Sequence, residues 1–177
     1  MSENLKTQII SAFIAKFETE VVALMTSAKA AHEAATHEES KAEDSHDTRG
    51  VEASYLAGAQ NARIGDLKAV VQEYKALFAD AEIRSATPAI SSTVAAGALV
   101  KIQPLADVGT MKSKGPPIYA LIAVRGGGTT VEVDGRLYTV FTPTSPIGEA
   151  ILGGSAGEVV EIESKGGNRA YRLESVD

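Results

Sequence analysis

Glu43, Asp44 and Asp47 fall within five consecutive residues. Carboxylates so closely spaced are hard oxygen donors, the ligand type that Mg²⁺ and Ca²⁺ select. Two of them on a solvated turn supply too few fixed oxygens to hold Mg²⁺, which sheds its water reluctantly. They can nevertheless retain a loosely held second ion in a two-metal phosphoryl-transfer site and orient its attacking water. The plainer alternative is that Asp47 caps a helix and Glu43 and Asp44 form a solvated turn. His32, His37 and His46 lie near these acids, but His32 and His37 are five apart and do not share a helical face, so surface histidines account for them. Lys29, Lys41, Arg49 and Arg63 flank the cluster and read either as phosphate contacts or as a solvated face. Gly126-Gly127-Gly128 is not followed by the Gly-Lys-Ser/Thr of a phosphate loop and is expected to connect strands.

The acids sit between two apolar stripes. Ile10, Ile14, Phe17, Val21, Leu24, Ala28, Ala31 and Ala35 alternate steps of four and three, the seam spacing of one helix packed along another. Gln60, Ile64, Leu67, Val71, Tyr74, Phe78 and Ala81 do the same after Ala57. In an antiparallel pair the numbers of facing residues have a nearly constant sum. This holds for Ile14 with Phe78, Phe17 with Tyr74, Val21 with Val71, Leu24 with Leu67 and Ala28 with Ile64. The hairpin then turns near Ser45 and His46, and bulky pairs give way to alanines toward that turn. An arm from Ile10 to Ala42 would be roughly 50 Å long at about 1.5 Å per residue. Gly58 and Gly65, seven apart on the second helix, imply either close approach of another backbone or a supple arm.

Composition sets the bounds. The 177 residues, 44% of them hydrophobic, allow one or two folded units. No cysteine is present, which excludes disulfide staples and thiolate metal sites. The chain shows neither a signal-peptide pattern nor an apolar run of about 20 residues able to span a bilayer, so a cytoplasmic protein with no membrane contact is expected. A net charge of −6 argues against general nucleic-acid binding, which needs a basic face.

The helical period breaks at Arg84–Ser92, where Pro88 cannot continue a helix. This predicts a hairpin over 1–83, a linker over 84–92 and a second domain over 93–177. Segments rich in β-branched and aromatic residues follow at 93–102, 118–124, 130–133, 136–141, 158–163 and 169–176. Asp134-Gly135 is a hairpin signal, Gly166-Gly167-Asn168 a second reversal, and Gly115-Pro116-Pro117 a surface loop. One short helix is expected at Ser145–Gly153, with the serine as cap, Pro146 at the first position and the glycine at the exit. The class is therefore α+β: an antiparallel helical coiled-coil hairpin, then a small antiparallel sheet carrying one helix.

A helical hairpin with an acidic tip, a hinge, and a β domain with Ser145-Pro146-Ile147-Gly148-Glu149-Ala150-Ile151-Leu152-Gly153 before Gly157-Glu158-Val159-Val160-Glu161-Ile162 resembles the Gre family of bacterial transcript-cleavage factors. Glu52-Ala53-Ser54-Tyr55 is a second, weaker match to the family's acid-rich tip. The resemblance implies an FKBP-like C-terminal domain that docks on RNA polymerase, with Ser145, Pro146 and Ile147 at the contact. It also implies an arm that enters the polymerase's secondary channel toward the RNA 3′ end and the DNA template. Family members place two acids three residues apart at the tip, a spacing that Asp44 and Asp47 reproduce, with Glu43 beside them. This chain departs from the family in placing Thr48-Arg49-Gly50-Val51 between Asp47 and Glu52. The implied protein is a monomeric, non-enzymatic elongation factor with no intrinsic cofactor, sharing Mg²⁺ with the polymerase. Alternatives are a channel-plugging inhibitor without cleavage stimulation and a peptidyl-prolyl isomerase, which would need a pocket lined by Tyr119, Tyr138, Phe141 or Tyr171.

Overall fold

The computed structural model describes residues 5–36, 49–85, 93–106, 111–163 and 167–177. Helices α1 (Leu5–Thr36) and α2 (Arg49–Ser85) come first, and six strands with one short helix follow. The expected turn near Ser45 and His46, Gly166 and residues 86–92 of the expected linker lie outside the described residues. Two compact units are distinguished: Ile14–Lys75, and Met1–Phe13 together with Ala76–Asp177.

α1 contains neither glycine nor proline, so nothing in it interrupts the hydrogen-bond ladder. Within the Ile14–Lys75 unit the two helices run antiparallel. The Phe17 and Tyr74 rings meet at 5.0 Å and 65°, an edge-to-face contact. Lys75 Nζ lies 2.8 Å from Glu18 Oε1. Phe17, Val21, Ile64, Val71 and Tyr74 are buried, as the apolar spacing predicts. Burial pushes the Tyr74 phenol well above its ordinary range, and the Glu73 carboxylate adds to the effect. Leu24 and Ala28 are half-buried and Ala31 is exposed, because alanine is too short to close the gap between two helices. The result is a cleft of about 390 Å³ bordered by Met25, Ala28, Lys29, His32, Asn61 and Ile64 among others.

In the second unit, strands β1 (Leu99–Leu105), β2 (Ile118–Ile122), β3 (Thr130–Val133), β4 (Arg136–Phe141), β5 (Val159–Ile162) and β6 (Arg169–Val176) form one sheet in the order β3-β4-β2-β1-β6-β5. The sheet is mixed and not wholly antiparallel: β2 and β4 run parallel, with Tyr119 opposite Tyr138. The cause is the place that the β3–β4 hairpin takes in the sheet. Asp134 and Gly135, both at positive φ (51° and 71°), turn β3 tightly onto β4 in the manner of a type I′ hairpin. β3 takes the edge, and β4 enters beside β2 in the same direction.

β1 begins later than the residue types predict and ends later too. Thr93 makes only an isolated bridge to Ser155, and Ala98 N–H closes a turn on the Ala95 carbonyl at 3.0 Å before the strand starts. At the far end the strand runs through Pro104. Pairing with β2 stops at Ile102 opposite Ile118, so the missing proline N–H breaks no ladder there, and the Pro104 carbonyl accepts from Lys114 N at 2.8 Å.

Strand alternation divides the sheet into two faces. Val100, Ile102, Ala120, Ile122 and Leu173 point to one face, where fully buried Ile151 and half-buried Ile147 of helix α3 (Pro146–Ile151) pack on them. Lys101, Tyr119, Tyr138, Arg172 and Glu174 alternate onto the other.

A Cβ added at Gly58 or Gly65 would meet nothing within 4 Å, so no neighbouring backbone among the described residues requires glycine there. Gly58→Ala and Gly65→Ala are each expected to raise stability by up to about 1 kcal/mol. Chemical denaturation followed by helical circular dichroism measures this, and a loss of stability in both variants would contradict it.

Candidate functional site

The acids with the strongest chemical potential, Glu43, Asp44 and Asp47, lie outside the described residues, in the segment separating α1 from α2. Glu52 falls in the first turn of α2, which begins at Arg49. Arg49, Gly50 and Val51 of the Thr48–Val51 spacer are thus helical. His32 is exposed and borders the interhelical cleft, whereas His37 and His46 lie outside the described residues. Lys29 pairs with Glu33 one helical turn on at 3.7 Å, both highly exposed, a contact of little energetic weight in water. Among the described residues no three or more His, Asp or Glu side chains gather as a metal site.

The Ser145–Gly153 segment is fully described, and each residue has a mechanical task. Ser145 has extended backbone geometry (φ −79°, ψ 149°) and is the N-cap of α3. Its Oγ accepts from Gly148 N at 3.2 Å and donates to the Thr142 carbonyl at 2.7 Å. Pro146 follows at the first helical position, where a missing N–H costs nothing. Gly148 is sterically required: a Cβ there would lie 1.9 Å from the Thr142 carbonyl oxygen. That carbonyl also accepts from Ser145 N at 2.9 Å, so it has little freedom to retreat.

The segment's exposed residues are therefore few. Pro146, Glu149 and Leu152 face solvent, with Leu152 47% exposed, while Ile147 is half-buried and Ile151 fully buried in the core. The sequence placed Ser145, Pro146 and Ile147 together at a contact. In the structure Pro146 presents a surface, Ser145 mainly secures the turn and Ile147 mainly packs. Leu152 was missed as a surface residue. The signal that would have found it is its position directly before Gly153, as the cap that follows Ile151 at the end of the helix.

The four aromatic side chains that an isomerase pocket would need do not converge. Phe141 and Tyr171 pack against the core on the α3 side. Tyr119 and Tyr138 alternate onto the opposite face, their rings 5.7 Å apart.

No protein-family model matches the sequence, and no curated protein matches it. Solved structures with similar arrangement include the transcription factor Gfh1, at 14% identity and TM-score 0.36 over 93% of each chain. Gfh1 of Thermus aquaticus is similar at 14% identity and TM-score 0.35 over 94% of each chain. The GreA factor homolog 1 (Gfh1) protein of Thermus thermophilus is similar at 13% identity and TM-score 0.34, over 93% of this chain and 94% of its own.

Ser145→Ala is expected to lose about 1 kcal/mol through the cap, while Ser145→Thr, whose hydroxyl can both cap Gly148 N and donate to the Thr142 carbonyl, stays close to the parent. Gly148→Ala should cost several kcal/mol because the collision is with backbone. Thermal denaturation of the three variants checks the order, and equal stability of Gly148→Ala and the parent would refute the steric assignment.

Proposed function

We propose that this chain is a Gre-like transcription elongation factor that binds the secondary channel of bacterial RNA polymerase and stimulates the polymerase's own cleavage of backtracked RNA. The observation that carries the proposal is a combination. An antiparallel helix pair locked by Phe17 and Tyr74 is joined by an acid-bearing segment, and the same chain holds a sheet with a serine-capped Ser-Pro-Ile-Gly helix. The sequence resemblance to the Gre family lies in those parts.

The mechanism follows from coordination chemistry. Asp44 and Asp47, with Glu43 adjacent, reach the polymerase's active centre and share its second Mg²⁺ with the aspartates already there. Their oxygens would supply further ligands to an ion held there and would help to orient a water for attack on the RNA phosphodiester. The factor brings no cofactor of its own and is not itself a nuclease, because two carboxylates alone give Mg²⁺ too few ligands. Contacts to the RNA 3′ end and template complex are indirect, through the polymerase. Docking uses the surface around Pro146, supported by the Ser145 cap and Ile147 packing. The protein acts as a monomer in the cytoplasm, where the bacterial polymerase is, and among the described residues no helix is long and apolar enough to cross a membrane.

A second reading is favoured by one observation. α2 is already helical from Arg49, so Glu52 stands within a helix and follows a Thr48-Arg49-Gly50-Val51 spacer that departs from the family's tip. A displaced acid set can obstruct the metal site in place of completing it, giving a channel-plugging inhibitor.

Purified cognate polymerase stalled in a backtracked complex is expected to cleave its RNA faster with this protein present. Asp44→Asn with Asp47→Asn should retain polymerase binding and lose stimulation by orders of magnitude. Normal stimulation by that double variant would move the metal-holding pair elsewhere, to Glu43 or Glu52. Absence of stimulation by the parent protein, together with competition against a cleavage factor, would establish the inhibitor. Isothermal titration of the isolated protein with Mg²⁺ is expected to show no binding.

A further inference from the structure

The sheet face opposite α3 carries a row of charge that the proposed function does not use. Lys101 stands on β1 beside Tyr119 of β2, which stands beside Tyr138 of β4. A bulge in the β1–β6 ladder, between Lys101 opposite Ser175 and Ile102 opposite Leu173, inserts Glu174 next to Lys101. Lys101 Nζ lies 2.7 Å from Glu174 Oε2, and an Arg172 guanidinium nitrogen lies 3.1 Å from Glu174 Oε1. At the other end the Arg136 guanidinium sits 5.5 Å over the Tyr119 ring, a cation–π contact. Two cations therefore share one carboxylate, and a third stands over Tyr119, on a chain whose net charge is −6. The side chains of Lys101, Arg172 and Glu174 are between 24% and 36% exposed, reachable from solvent yet held.

We propose that this row is a docking surface for an extended acidic segment of a partner protein, with carboxylates at alternate positions. The spacing supports the choice. Arg136 and Arg172 stand on strands separated by three inter-strand steps of about 4.8 Å, roughly 14 Å in all. In an extended peptide, residues i, i+2 and i+4 point the same way and span about 13 Å. Three alternate acids thus reach Arg136, Lys101 and Arg172 in turn. A single phosphate cannot bridge that distance. Nucleic acid fits worse, because stacking needs an open aromatic face. Tyr138 is 3% exposed and the half-buried Tyr119 lies beneath Arg136. Glu174 neutralises its two neighbours while the surface is empty: its hydrogen bonds and charge raise the Lys101 ammonium above its ordinary range, and Lys101 and then Arg172 hold the Glu174 carboxyl below its own. The proposal is independent of the polymerase reading, since α3 and Pro146 belong to the other side of the sheet.

The test uses the full chain, ¹⁵N-labelled, titrated with a synthetic peptide of alternating glutamate and threonine. Backbone amide shifts are expected at Lys101, Tyr119, Arg136 and Arg172, with affinity falling about ten-fold in the Arg136→Gln, Arg172→Gln double variant. Glu174→Gln releases two cations and is expected to tighten binding severalfold, an effect that a purely structural ion pair would not produce. A peptide of the same composition with its glutamates in one block should bind more weakly. No shifts at these amides, equal binding by the blocked peptide, or tighter binding there by oligouridine would each overturn the proposal.

Discussion

The edge-to-face contact of Phe17 with Tyr74 sets the register of the helix pair. A coiled-coil seam repeats every seven residues and tolerates a slip by one repeat, so apolar spacing by itself leaves several pairings nearly equal. Two large rings packed edge to face, with Lys75 and Glu18 in ionic contact beside them, are satisfied in one alignment only. Because each Leu, Val or Ile elsewhere in the seam can be exchanged for another at modest cost, the ring pair has a specificity that they lack. Every residue further along the two helices inherits its partner from this alignment, including those bordering the cleft at Ala28 and Ile64.

Packing along the pair is uneven, and the gradient has a cause. Phe17, Val21, Val71 and Tyr74 exclude water, while the alanines beyond them leave open space between the helices. Alanine sustains helix formation through its intrinsic propensity but contributes little buried area. Gly58 and Gly65 weaken the helix on the same stretch without any contact that requires them. Packing therefore thins from Phe17 and Tyr74 toward Ala28 and Ile64.

In the sheet unit a different constraint dominates. The Thr142 carbonyl is approached by Ser145 N, by Ser145 Oγ and by the Gly148 Cα, so the chain leaving β4 must start a helix at once. That helix drives Ile147 and Ile151 into the core beside Ile102, Ile122 and Leu173. Alternation carries Lys101, Arg172 and Glu174 to the other face, which also buries Leu99, Leu121 and Val140 further along the strands. Ser-Pro-Ile-Gly is thus first a folding instruction.

Much was legible in the residues alone. The helix pair, the Phe17–Tyr74 match, the Asp134-Gly135 hairpin, the Ser145 cap and most strand limits follow from local rules: periodicity, turn stereochemistry and capping, each acting over a few residues. What sequence could not supply were relations between distant segments. The parallel pairing of β2 with β4 depends on which edge β3 occupies, and the late end of β1 at Pro104 depends on where β2 stops beside it. The burial of Ser145 and Ile147, which shifts attention to Pro146 and Leu152, depends on the Thr142 carbonyl and the core behind the helix. The row from Arg136 to Arg172 was invisible because its members come from four strands and meet only through ladder registry and a bulge. Local propensity acts through neighbouring backbone atoms and is written in adjacent residues, whereas sheet order and surface chemistry arise when hydrophobic burial selects one closure among several.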